Sequence, residues 1–372
     1  MILRRFSIAA FICLAWPTFA FADAIVASWG GAYERAQWHG MFRDWSAQNG
    51  GQRLDFISGQ NSAEALEAAD RNGQVPWDLM DLERHSLDLA CEAGLLKPLD
   101  LADYQPPNVS GQTETSLRDE FVSACGIPSV VWTRGLAVRR SRKLGATDVT
   151  LKSLFSARSK DLKLALYRGP EATLELTLLG IGVPPDRVYA TLASNDGVNI
   201  ALGHLSQLWK RLVWFERYEE GFSFLKRGQV DAALVYHDQV LPLTFADPSR
   251  WIFARGGHLP EAAYWAIPVN SPSDTRSQTL LKAATQPKAI AKTASLLGYS
   301  PAFRSVFSSL DPTLGQKLPG NPAFDTESLV YDASWWADNR DRVLPIFSLW
   351  FEDMSRSDGG NRVDSVNNPF LE

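Results

Sequence analysis

A chain of 372 residues, 45% hydrophobic and 21% charged, is long enough for two globular lobes and too mixed in composition to be fibrous or wholly disordered. Its formal net charge of −5, with no basic patch along it, excludes a nucleic-acid surface of the usual electrostatic kind. Beyond residue 22 no apolar run reaches the roughly 20 residues that a membrane-spanning helix needs.

Residues 1–22 read as a secretory signal peptide. Arg4-Arg5 is a basic start, Phe6 to Phe19 is largely apolar and uncharged, and Ala20-Phe21-Ala22 is a small-x-small cleavage site. The mature chain then begins near Asp23, carries a formal charge of −7 and is expected in the periplasm. Cys13 leaves with the signal. Cys91 and Cys125 remain, and in an exported protein two cysteines suggest one disulfide; the alternative is two buried free thiols.

Ala24 to Ser28 is a short apolar run that reads as a strand. Trp29 follows it, the pair Gly30-Gly31 turns the chain, and a helix with Trp38, Met41, Phe42 and Trp45 on one face starts at once. In an open α/β sheet ligands bind outside the carboxyl ends of the strands, so Trp29 and Tyr33 are candidate walls of a ligand site. The competing reading makes Trp29 ordinary core. Arg53 to Ile57 is a second strand, Ser62 caps a second helix, and Val75 to Leu82 is a third strand. Its exit is Glu83-Arg84-His85, after which Ser86 caps the next helix. This β-α-β-α-β-α order suits parallel strands and places Glu83 and His85 beside the first strand's exit.

Ala124 to Trp132 is a further strand region, and a crossing to a second lobe is expected near 134–142. There Leu162 to Tyr167, Val213-Trp214-Phe215 and Val230 to Tyr236 read as strands separated by helices. Tyr236, with His237 after it, stands in this lobe where Trp29 stands in the first. Trp251 to Phe253 and Tyr264 to Pro268 read as strands that return to the first lobe. Ser334 caps a last helix with Trp336, Val343, Phe347 and Trp350 on one face, and residues 353–372 have the polar composition of a disordered tail.

The sequence lacks a nucleophile elbow, a zinc-binding H-E-x-x-H, a Walker A loop and a C-x-x-C pair. The five histidines have no metal-ligand spacing. Histidines distant in sequence can still meet in space, and carboxylates such as Glu83 and Glu171 can form a hydrolytic pair across a cleft.

Taken together, Ser28-Trp29-Gly30-Gly31-Ala32-Tyr33, Trp77-Asp78-Leu79-Met80-Asp81-Leu82-Glu83, Cys91-Glu92-Ala93-Gly94-Leu95-Leu96, Cys125-Gly126-Ile127, Gly228-Gln229-Val230-Asp231-Ala232-Ala233, Trp265-Ala266-Ile267-Pro268, Gly298-Tyr299-Ser300-Pro301 and Trp335-Trp336 with Trp350 give the chain a family likeness. It resembles the periplasmic solute-binding proteins of ABC importers, in particular the spermidine/putrescine-binding group. The resemblance implies a two-lobed α/β fold of the periplasmic-binding-protein type II, each lobe a mixed, mostly parallel sheet flanked by helices and joined by crossing strands. Lobe 1 is expected over 23–134 plus 262–302 and lobe 2 over 135–261 plus 303–352.

The same resemblance implies a non-enzymatic protein without cofactor or bound metal. It would act as a monomer that hands a small amine-type solute to permease and ATPase subunits at the inner membrane. Ligand contacts would come from Trp29, Tyr33, Glu83, His85, Trp214 and Tyr236, because stacked rings and carboxylates suit an ammonium group. The chain departs from that group in one place. Where an aromatic residue and an aspartate often precede the Ala-Ile-Pro strand, this chain has Glu261-Ala262-Ala263-Tyr264, with Glu261 the one carboxylate that can replace the aspartate missing at 263. An amino acid-like compound, ferric iron or an anion is therefore an alternative ligand, and an exported hydrolase is the alternative outside the family.

Overall fold

Strand β1 (Ala24–Ser28) is buried along nearly all its length, and a strand covered on both faces belongs in the middle of a parallel sheet. It pairs in parallel with β2 (Leu54–Ser58) on one side and β3 (Leu79–Glu83) on the other. The crossovers are helical. Between β1 and β2, α1 (Gly31–Gln37) runs through a π turn (Trp38–Phe42) into α2 (Arg43–Gln48). Between β2 and β3 lies α3 (Ala63–Arg71), capped by Ser62, whose side chain accepts the Ala65 N–H at 3.2 Å. The computed structural model describes residues 24–104, 117, 119–141, 149–157, 159, 161–321 and 328–357. The export signal expected at 1–22 lies outside them.

No loop separates β3 from α4 (Arg84–Glu92). Glu83 ends the strand and occupies the N-cap position, so the exit loop expected at 83–85 and the cap expected at Ser86 are both replaced by a direct strand-to-helix junction. Cys91 at the end of α4 is joined to Cys125, with their Cα atoms 5.9 Å apart, and this bond leads into β4 (Ile127–Arg139).

The second half follows the same plan. After α5 (Leu151–Phe155) come β5 (Leu164–Tyr167), α6 (Thr173–Ile181), α7 (Val188–Leu192), α8 (Asn195–Leu208), β6 (Leu212–Phe215), α9 (Tyr218–Arg227), β7 (Ala232–Tyr236) and α10 (His237–Ala246). The chain then returns along β8 (Trp251–Ala266) to α11 (Asp274–Ala284), α12 (Pro287–Leu297), β9 (Ser300–Pro301), α13 (Pro312–Gly315) and α14 (Ala333–Ser357).

The strands form one mixed sheet in the order β2-β1-β3-β8-β4-β7-β5-β6, with β9 paired to β4. Its two ends are parallel and its centre, β3-β8-β4-β7, is antiparallel. The centre is built from two long crossing strands. What reads in the sequence as two short return strands is one 16-residue strand, β8, whose register against β4 shifts between Gly135 and Ala137.

Two separate apolar cores flank this centre. The first gathers β1 to β3, the start of β4, the end of β8 and helices α11 and α12. The second gathers β5 to β7, α6, α8 and the face of α14 that carries Trp336, Val343, Phe347 and Phe351. Phe303, Val306, Leu310 and Leu318 pack into the first core, although the expected boundary at 302 gave them to the second lobe. Pairing of β9 with Val130 and Val131 of β4 draws the segment after it to that side. Helix α14 also runs to Ser357, five residues into the expected disordered tail, because Ser355 Oγ donates to the Phe351 carbonyl and Arg356 pairs with Glu352 and Asp353. Residues 358–372 of that tail lie outside the described residues.

Candidate functional site

The exits of β1, β3 and β7 open on one cavity of about 650 Å³ between the two cores. Trp29 follows β1 and stays 43% exposed at the cavity wall. The chain can turn so sharply after it because Gly30 has φ +86° and lies so close to β2 that a Cβ would meet Ser58 Oγ at 3.2 Å. Tyr33, on the first turn of α1, forms the next part of the wall, with Tyr299 beside it at a ring separation of 6.2 Å.

Under these rings lies Asp81 of β3, fully buried. Gln37 Nε2 donates to its carboxylate, Gln37 Oε1 accepts from Ser28 Oγ at 2.6 Å, and Asn61 Nδ2 donates to the Asp81 carbonyl at 3.0 Å. Burial pushes the Asp81 carboxyl up to about 7 despite the nearby Tyr33, Trp29 and Gln37 side chains, which favour its charged form. Neither the Tyr33 hydroxyl nor Asp81 Oδ1 closes a hydrogen bond of good geometry. Glu83 and His85 reach the cavity from the β3–α4 junction. Burial raises the Glu83 carboxyl, and His85 and Arg134 oppose that rise.

The crossing strands supply the floor. Trp132 and Arg134 stand two residues apart on β4 and so share a face, and Glu261 of β8 is the register partner of Trp132. Trp132 Nε1 donates to Glu261 Oε2 at 3.2 Å, and Arg134 Nη2 donates to the same oxygen at 3.3 Å. Burial pushes the Glu261 carboxyl up to about 7, Arg134 opposes the shift and Glu83 adds to it. The Arg134 guanidinium lies 4.0 Å from the centre of the Tyr331 ring, and its buried Nε has no protein partner.

From the second core come Tyr236, Glu171, Tyr331, Trp336 and, at the rim, Arg340. Tyr236 is backed by Tyr218 at 4.7 Å. Glu171 accepts from the Tyr331 hydroxyl at 3.0 Å and pairs with Arg340. The cavity thus offers rings, carboxylates and a guanidinium at once.

Five of the expected site residues, Trp29, Tyr33, Glu83, His85 and Tyr236, meet in this cavity, and Trp214 does not. Trp214 belongs to β6, the outer strand of the sheet, and its ring packs at 5.3 Å against Phe351 and 5.8 Å against Trp209 beneath α14. His237 is likewise withdrawn. It stacks at 4.5 Å on Phe253, and burial pushes it down to about 3, which leaves the ring neutral. Trp132, Arg134 and Tyr331 escaped the sequence reading. The alternation Trp132-Thr133-Arg134 in an otherwise apolar strand was the available signal.

Residues 41–323 match the family described as bacterial extracellular solute-binding protein. The chain belongs to that family. Such proteins bind small solutes for ABC transporters and are not enzymes. The chain is 26% identical over 331 residues to a gamma-aminobutyric acid-binding protein of Pseudomonas aeruginosa, which covers 87% of this chain and 90% of that protein. Among solved structures it is similar to a binding protein of Agrobacterium tumefaciens in complex with agropinic acid (TM-score 0.62, 22% identity, 89% of this chain and 99% of that one). It is also similar to a spermidine/putrescine substrate-binding protein of Streptococcus pneumoniae (TM-score 0.67, 13% identity, 88% and 98%). These likenesses establish the periplasmic-binding-protein-like fold of this solute-binding protein.

Proposed function

We propose that the protein is exported to the periplasm and captures a small solute bearing both an ammonium and a carboxylate group, for delivery to the permease and ATPase of an ABC importer. Buried Arg134 carries this reading. A polyamine is cationic at every nitrogen, and placing it beside a buried guanidinium sets like charges together in a medium of low dielectric. An amino acid-like solute has an anionic end for that guanidinium to bind by charge-assisted hydrogen bonds. Its ammonium end meets Glu83 and the faces of Trp29, Tyr33 and Tyr236, where a cation over a ring gains about 0.5–2 kcal/mol. His85 stands beside Glu83 and tunes its charge. The Pseudomonas relative, named as a gamma-aminobutyric acid-binding protein, points the same way.

In this reading the halves around the two cores are jaws that move about β4 and β8. A thermal-shift screen with gamma-aminobutyric acid, other ω-amino acids, putrescine, spermidine and ferric iron tests it. A ligand at about 100 times its dissociation constant stabilises by roughly 2.7 kcal/mol. The expected result is a shift with an amino acid and none with putrescine or spermidine; a shift with a polyamine alone contradicts the reading.

A further inference from the structure

Helix α6, Thr-Leu-Glu-Leu-Thr-Leu-Leu-Gly-Ile, is buried along nearly its whole length, and one acid sits in it. Glu175 has no exposed surface. A carboxylate in such a place is unfavourable unless its partners offset the loss of water, so its partners show what it is for. Trp336 Nε1 donates to Glu175 Oε1 at 2.5 Å, and the Tyr189 hydroxyl lies 3.4 Å from the same oxygen. The Tyr189 hydroxyl in turn accepts the Asp332 backbone N–H at 2.8 Å, and Asp332 Oδ1 accepts the Trp335 N–H at 2.8 Å at the start of α14. Segment 331–336, which brings two cavity walls, Tyr331 and Trp336, is therefore tied to one buried acid.

The approach to α6 is unusual as well. Ala172, buried, has φ +61° and is the non-glycine residue with positive φ among the described residues. Such a conformation persists where the surroundings over-determine it, and it is found at ligand clamps. Here it lets Glu171 meet Tyr331 and Arg340 at the cavity while Glu175, one turn later, meets Trp336 from behind. The second oxygen of Glu175 has no protein partner.

We infer that Glu175 is a positioning residue for solute capture: it draws the Trp336 indole N–H away from the cavity, so that this wall presents ring surface rather than a donor, and through Tyr189 it fixes segment 331–336. The inference rests on the reading of the cavity as the site of an amino acid-like solute, because an indole whose N–H is held by Glu175 cannot donate to that solute and meets it with ring surface.

Two measurements test it, and the first needs no ligand. In mature protein labelled with ¹⁵N-tryptophan, the indole cross-peak lost in Trp336→Phe is that of Trp336. It is expected downfield and slow to exchange, and Glu175→Gln is expected to move it upfield; an unmoved peak overturns the inference. The second is calorimetric titration with gamma-aminobutyric acid of wild type, Glu175→Gln, Trp336→Phe and the double variant. Loss of a charged hydrogen-bond partner is expected to raise Kd about fivefold in the wild-type background and less than about twofold beside Trp336→Phe. Equal losses in both backgrounds overturn the inference. If Glu175→Gln does not fold, Tyr189→Phe takes its place: weakened binding with the Trp336 peak unmoved is expected, and unchanged binding overturns the tie to segment 331–336. If wild type gives no binding heat, the amino acid reading fails and the cross-peak alone decides the role of Glu175.

Discussion

Trp29 keeps 43% of its surface exposed directly after a strand whose last three residues are fully buried. An indole serving as core would not be left there, because full burial of a large apolar side chain is worth about 1.5–3 kcal/mol. The proposed function explains its position by a solute that arrives later. Trp29→Ala is therefore expected to remove most of the ligand-induced rise in melting temperature while changing the ligand-free stability by about 1 kcal/mol or less. Collapse of the ligand-free protein would show the ring to be structural. That Trp29, Tyr33, Glu83, His85 and Tyr236 line the cavity was legible because each lies at or just past the end of a strand, where such sheets bind. Trp214 misled because aromatic character alone does not say which face of an outer strand it occupies. Arg134 was illegible because a charged residue near a lobe boundary looks like a surface turn until β4 is seen to run through it.

The crossing strands β4 and β8 decide where the site lies. The sequence shows two short strands, 251–253 and 264–268, where β8 is one, because pairing with β4 continues on both sides of a register shift between Gly135 and Ala137. Local pattern cannot show this, since the pairing is between segments more than a hundred residues apart. The junction β3–α4 was also read with a loop that does not exist; like β7–α10 it is direct, and Glu83 and Tyr236 both line the cavity. The Cys91–Cys125 bond spans 34 residues and fastens α4, the helix that carries His85 and follows Glu83, to the approach to β4. Closing a loop of that length stabilises by about 4 kcal/mol on chain-entropy grounds. Cys91→Ser with Cys125→Ser is expected to lower the denaturant midpoint accordingly. A change below about 1 kcal/mol would show that the bond does not brace that side of the site.

For the molecule as a whole, buried acids set the response to pH. Burial pushes Asp81, Glu175 and Glu261 up to about 7 and Asp238 to about 6, from ordinary values of 3.8 or 4.5. A carboxyl whose value is raised on folding favours the folded state most when protonated, and that contribution is lost as pH rises from its unfolded value through its folded one. His237, pushed down to about 3 by burial, works the other way and gives up its contribution as pH falls below 6.5. Four acids outweigh one histidine, so the ligand-free protein is expected to melt higher at about pH 5.5 than at about pH 7.5. A melting temperature that falls on acidification contradicts this balance. The two-core α/β plan was readable from the alternation of strands and helices. The mixed charge of the cavity was not, because Arg134 of β4, Glu261 of β8 and Glu171 in the turn before α6 are brought together only by the folded chain.

A crystal structure of the mature protein grown with gamma-aminobutyric acid bears most directly on the capture of a zwitterion between the two cores. The expected result is ligand density in the cavity, with its carboxylate at Arg134 and its ammonium between Glu83 and the ring of Trp29. Density outside the cavity, or the opposite orientation with the ammonium at Arg134, would contradict it.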